Sequence, residues 1–115
     1  MNKNKGEHSF VVGSETFNAR LTVNSLCTLE SVTGEEASVT MASFANSISN
    51  EKMNVTALRA ILWASLLHNH EGKTLQGVGE IIEQMGIPKA SAAVIAIMKA
   101  AFPDAEGKDA EGSPQ

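Results

Sequence analysis

Several groups of residues are of types that do chemistry. His68-Asn69-His70-Glu71 places two imidazoles and a carboxylate within four positions. These are ligands of zinc and iron sites, but histidines at i and i+2 do not share a helix face. Neither the HExxH nor the facial-triad spacing is present. Two solvated histidines at the negative end of a helix dipole account for the pattern. Cys27 is the one thiol, which excludes an intramolecular disulfide and a multi-cysteine metal site. Without a cationic neighbour in the sequence it reads as a small hydrophobe buried on a helix, not as a nucleophile served by His8, His68 or His70. Gly77-Val78-Gly79 falls short of GxGxxG because Ile82 holds the third position and no strand precedes it. A loosely wound helix start, or close helix packing, explains it. Glu30, Glu35 and Glu36 supply carboxylates without the Asp/Asn-rich loop and pivot glycine of a calcium site, so a solvated helix end is the better account. The expectation is therefore a protein that is not an enzyme, with no catalytic, cofactor-binding or metal-binding residues.

What remains is residues suited to contact. Trp63 lies on the flank of an apolar helix, where tryptophan is most often core but is also the type that anchors interfaces. Met41, Met53, Met85 and Met98 fill cores, and also make adaptable surfaces that grip apolar segments. The chain has 115 residues, 43% hydrophobic and 19% charged, which is one small domain able to bury a core. A formal charge of −4 argues against a nucleic-acid surface, which needs a basic footprint, and 4% aromatics argue against a base-stacking platform. No apolar run reaches membrane-spanning length, and no signal-peptide pattern precedes the first strand-like residues.

The elements that position these residues follow from periodicity. Residues 1–6 are polar and expected to be flexible. Glu7 to Val12 and Glu15 to Thr22 alternate as two strands around Gly13-Ser14, which suits a II′ turn and places Phe10 opposite Phe17 and His8 opposite Ala19. Thr22 caps a helix from Val23 to Thr33 with a Leu26, Leu29, Val32 stripe, stopped by Gly34. A second helix carries Ala37, Met41, Phe44, Ala45 and Ile48. Asn54 caps the strongest helix, Val55 to about His70, whose broad apolar face marks it as central. Thr74 caps a fourth helix that ends at Gly86, and Pro88 opens a fifth that runs through Phe102. The prediction is a mainly α protein with a small β part (α+β): an N-terminal β-hairpin, then a compact bundle of about five helices over 7–103. Residues 104–115 read as a disordered acidic tail. Asp104, Glu106, Asp109 and Glu111 against Lys108 carry −3 of the chain's −4, so the body is nearly neutral.

The order of features is also specific. The hairpin word Gly13-Ser14-Glu15-Thr16-Phe17-Asn18-Ala19-Arg20-Leu21-Thr22 is followed by Leu26-Cys27-Thr28-Leu29-Glu30, by Leu58-Arg59-Ala60-Ile61-Leu62-Trp63-Ala64-Ser65-Leu66, and by His70-Glu71-Gly72-Lys73-Thr74-Leu75 with Val78-Gly79-Glu80-Ile81-Ile82. This resembles the gene-transfer-agent family of phage tail proteins, of the phage tail assembly chaperone group, over about residues 7–102. Ser65 departs from the glycine usual there, and Gln76-Gly77 from the usual acids. The resemblance implies a chaperone that binds the tape measure protein, with the major tail tube protein as a second partner. It would work in the bacterial host cytoplasm and be absent from the mature particle. The alternative it carries is a minor structural component of the tail, tube-like or adaptor-like.

A holder of apolar helices needs a helix-lined groove with little charge inside. The expected groove lies between the long helix and the last helix, around Trp63, Leu67, Ile95, Met98 and Phe102. No nucleic acid and no membrane is expected as a partner. The open edge of a two-stranded ribbon leaves pairing into a homo-oligomer open.

Overall fold

The computed structural model describes residues 6–102, in the order β1 (Glu7–Val12), β2 (Glu15–Arg20), α1 (Val23–Thr33), α2 (Ala37–Ser49), α3 (Val55–Leu66), α4 (Leu75–Met85) and α5 (Ile87–Ala101). This is the expected α+β architecture of one hairpin followed by five helices. The expected tail at 104–115 and most of the N-terminal stretch lie outside the described residues.

β1 and β2 pair antiparallel with Phe10 opposite Phe17 and His8 opposite Ala19. Gly13 takes φ +65° and Ser14 does not have positive φ, as a II′ turn requires. Strand alternation puts Val12, Phe17 and Ala19 into the core and leaves Val11 64% exposed.

The helix ends are chemically explicit. Thr22 Oγ1 accepts from the Ser25 N–H, Asn54 Oδ1 from Ala57 and Thr74 Oγ1 from Gly77, which satisfies amides that a helix start leaves unpaired. The start of α2 has no cap from its own N-cap residue, Glu36. Glu30 of α1 fills the role: its carboxylate accepts from the Ala37 N–H at 2.9 Å. The acidic cluster thus includes a helix cap as well as a solvated end. Gly34 ends α1 in the left-handed region at φ +76°, a conformation a side chain disfavours.

α3 is the hub. Ala57, Leu58, Ala60, Ile61, Leu62, Ala64, Ser65 and Leu66 are all buried, and the helix packs against α1, α2, α4, α5 and β2. Being buried nearly all round requires an apolar sequence on every side, which is why its stripe is so broad. Ser65 is fully buried and donates to the Leu62 carbonyl at 2.7 Å, so a small residue is required and its hydroxyl is satisfied. At Gly79 of α4 a Cβ would meet the Arg59 side chain of α3 at 3.4 Å, an ordinary van der Waals contact, so packing does not demand a glycine there.

The structure differs from the sequence expectations at four places. α3 ends at Leu66, not near His70, because the turn that follows sends Asn69 and His70 across to β2. His70 is not simply solvated: its Nε2 accepts from the Asn18 N–H at 3.1 Å, and its ring meets Phe17 edge-on at 5.4 Å. Cys27 is exposed, not buried. Val32 is 41% exposed, since α1 turns Ser25 and Leu29 inward instead.

Candidate functional site

α2 and α5 each pack on α3 and make little or no contact with each other. The gap between them is a groove of about 600 Å³. Met41, Ala45 and Ile48 form one wall, at i, i+4 and i+7 of α2. Ile95, Met98 and Phe102 form the other, at i, i+3 and i+7 of α5 and its C-cap. On each helix this ridge runs beside a second, fully committed one: Ala37, Thr40 and Phe44 on α2, and Ala90, Val94 and Ile97 on α5, are buried. Each helix therefore carries more apolar width than the core uses. Met41, Ile48, Ile95 and Met98 are half-buried and lean on the core, while Phe102 is 37% exposed.

The groove wall is apolar apart from Ser49 and the exposed Lys99. Ala42 and Ala45 are exposed and small, which leaves space for another chain. Where the chain leaves α2, Met53 Sδ lies 3.8 Å from Ser91 Oγ, so the connector after α2 touches the N-terminal half of α5. Along α5 the groove runs out at Phe102. Asn54, held by Ser43 Oγ at 2.9 Å and by Ser47 Oγ at 3.0 Å, locks the end of α2 to the start of α3 and fixes the position of that wall.

A larger cleft of about 720 Å³ lies between α3, α4 and the start of α5. Arg59, Gln76, Glu80 and Glu83 line it, so an apolar occupant would have to strip water from charges of both signs. Among the described residues, no group of histidine, cysteine or acidic side chains is arranged to hold a metal ion. No single described helix is long and apolar enough to cross a membrane; α4 and α5 pass such a test only together, as a pair bent by 116°.

The structure brings together Ile95, Met98 and Phe102 and does not bring Trp63 or Leu67 to them. Trp63 is half-buried, and its Nε1 donates to the Lys73 carbonyl at 3.0 Å, pinning the α3–α4 loop. Leu67 lines a small polar depression with Thr22, Ser25 and His68. α3 is enclosed by its neighbours, so the helix facing α5 across open space is α2. Met41, Ala42, Ala45 and Ile48 complete the groove. Met41 and Ile48 each lie one i+4 step, about 40° round the helix, from Ala37 and Phe44, so a single stripe held both sets in the sequence and periodicity did not separate the groove wall from the buried ridge. No family model, curated protein or solved structure matches the chain.

Proposed function

We propose that this protein is a tail assembly chaperone that holds an apolar helical segment of a tape measure protein in the α2–α5 groove. The observation that carries the reading is the paired spacing of the two walls. Ridges at i, i+3 or i+4, and i+7 on both helices present the surface into which a third amphipathic helix inserts its own i, i+3/i+4, i+7 anchors. Two of the six wall residues are methionines, whose flexible thioethers adapt to differing partner side chains. The tape measure as partner rests on the sequence resemblance; the groove supports an apolar helix as occupant.

Ala45→Glu tests the site, because Ala45 is exposed and its replacement fills the groove with a charge while sparing the core. The variant should lose co-purification with tape measure fragments. Val39→Glu, also on an exposed α2 position but outside the groove, should retain it. Equal retention by both variants refutes the groove. Mass spectrometry of purified tails tests the chaperone role, since stoichiometric presence there means a structural component.

A further inference from the structure

The two strands of the hairpin differ in what holds their outer edges. The Asn18 N–H donates to His70 Nε2 and the Asn18 carbonyl accepts from Asn69 Nδ2, so both backbone groups of Asn18 point away from β1. Asn18 lies opposite Ser9, which makes this a non-hydrogen-bonded position of the antiparallel ladder. The N–H and C=O of Ser9 therefore also point away from the hairpin, out of the β1 edge. Alternation gives Val11, opposite Thr16, the same outward direction, whereas Phe10 and Val12 spend their groups on Phe17 and Glu15. Among the described residues, no hydrogen bond takes the outward backbone groups of Ser9 or Val11. α4 and α5 pack against β1, yet Ser9 is exposed and Val11 is 64% exposed. The strand has no lysine, proline or bulge of the kind that blocks strand addition. The α3–α4 loop closes the edge of β2 at Asn18, and the edge of β1 stays open.

We infer that β1 pairs antiparallel with β1 of a second copy of this chain across a two-fold axis, making a four-stranded sheet. The register sets Ser9 of one copy opposite Val11 of the other, and every outward N–H and C=O of these residues is then satisfied. The axis passes through Phe10, which meets its own counterpart at a non-hydrogen-bonded position, where side chains approach most closely. Phe10 is half-buried and already stacks on Phe17, with ring centres 5.5 Å apart. Self-pairing extends this pair into an aromatic row across the whole sheet, which a strand of unrelated sequence does not supply. A shift of two residues either way separates the two Phe10 rings, which selects this register. Glu7, the acidic residue of β1, falls opposite Gly13 of the other copy, so the two carboxylates sit at opposite ends of the pairing and do not repel. The α2–α5 groove takes no part, so this inference and the groove reading stand or fall separately.

A contact between two short strand edges is at the small end of specific interfaces, so a dissociation constant between about 1 μM and about 1 mM is expected. Sedimentation velocity on the full chain should show the mass rising from one chain toward two across that range. Hydrogen exchange reads the edge directly: the Ser9 and Val11 amides should slow as concentration rises, while Phe10 and Val12, bonded within the hairpin throughout, stay unchanged. Val11→Pro removes an outward donor without breaking a hairpin bond, so it should keep the circular dichroism spectrum and stay monomeric. Val11→Lys keeps the amide and places a charge at the edge; it should also be monomeric, and it carries the test if the proline variant misfolds. Val23→Lys, at a 76% exposed position of α1, should dimerise like the unaltered chain. In a Cys27→Ser background, oxidising a mixture of Ser9→Cys and Val11→Cys chains should join unlike chains in preference to like ones. A chain that stays monomeric up to about 1 mM overturns the inference, as does a dimer whose Ser9 and Val11 amides exchange unchanged. A dimer that Ala45→Glu dissociates and Val11→Lys does not is built on the groove, and it overturns the inference too. Crosslinks that favour like chains overturn the register and the aromatic row with it.

Discussion

His70 ties the α3–α4 loop to the hairpin, and its replacement gives a quantitative test of that strap. The Nε2 lone pair accepts the Asn18 N–H at 3.1 Å, and Asn69 Nδ2 donates to the Asn18 carbonyl at 3.1 Å, so both backbone groups at this β2 position are engaged from the loop. The imidazole edge meets the Phe17 ring at 5.4 Å, and Lys73 Nζ lies 5.2 Å from the centre of the same ring. His70→Phe keeps a ring at this position but removes the acceptor, leaving the part-buried Asn18 N–H unpaired. That costs about 1–2 kcal/mol, toward the lower part of the range for an orphaned donor because Asn18 is only half-buried. His70→Ala also loses the ring contact, for about 0.5–1.5 kcal/mol more. For a domain of this size, each kcal/mol lowers Tm by roughly 4–8 °C. Thermal and urea unfolding followed by far-UV circular dichroism should rank wild type above His70→Phe above His70→Ala, with amide exchange at Asn18 accelerated in both. A His70→Phe variant with unchanged Tm and unchanged Asn18 exchange would refute the assignment of this bond as a structural tie.

Three further outcomes follow from single contacts. Glu30→Ala removes the acceptor at the start of α2 and should cost about 1 kcal/mol in urea unfolding, as a lost cap does; an unchanged midpoint would show that water replaces the carboxylate. Gly34→Ala meets no neighbouring atom within 4 Å but must hold φ +76°, so it should destabilise by about 1 kcal/mol through backbone strain alone, and a stabilised variant would contradict the left-handed cap. Cys27 is exposed and should react with a thiol reagent in the native state as fast as in denaturant, while Cys27→Ser leaves stability within about 0.5 kcal/mol; protection until unfolding would show it buried.

Much of the fold was legible because local signals coincide with long periodic segments. Thr22, Asn54 and Thr74 precede apolar stripes, and each is an N-cap in the structure. Gly34 and Gly86 stop helices, and Gly13-Ser14 fixes the hairpin register. The end of α3 was less legible, since Leu67 and His68 continue the helical pattern. The helix yields there to bonds made by Asn69 and His70 with a strand about fifty residues earlier.

The sequence by itself determined which residues pair in the hairpin, where every helix starts and most of them stop, and that α5 is apolar over more width than a single buried stripe. Those properties arise from backbone conformation and side-chain periodicity within a few turns. Only the tertiary structure decided which surplus ridges face each other. α3, the most apolar helix, is spent largely on the core by the five elements packed round it, so Trp63 anchors a loop and Leu67 lines a polar depression. α2 packs on α1 and α3, α5 on α3, α4 and the hairpin, and the ridge that each has left over faces a common gap. Which neighbour claims each face is set by how the elements pack around a shared core, and no local pattern encodes that allocation.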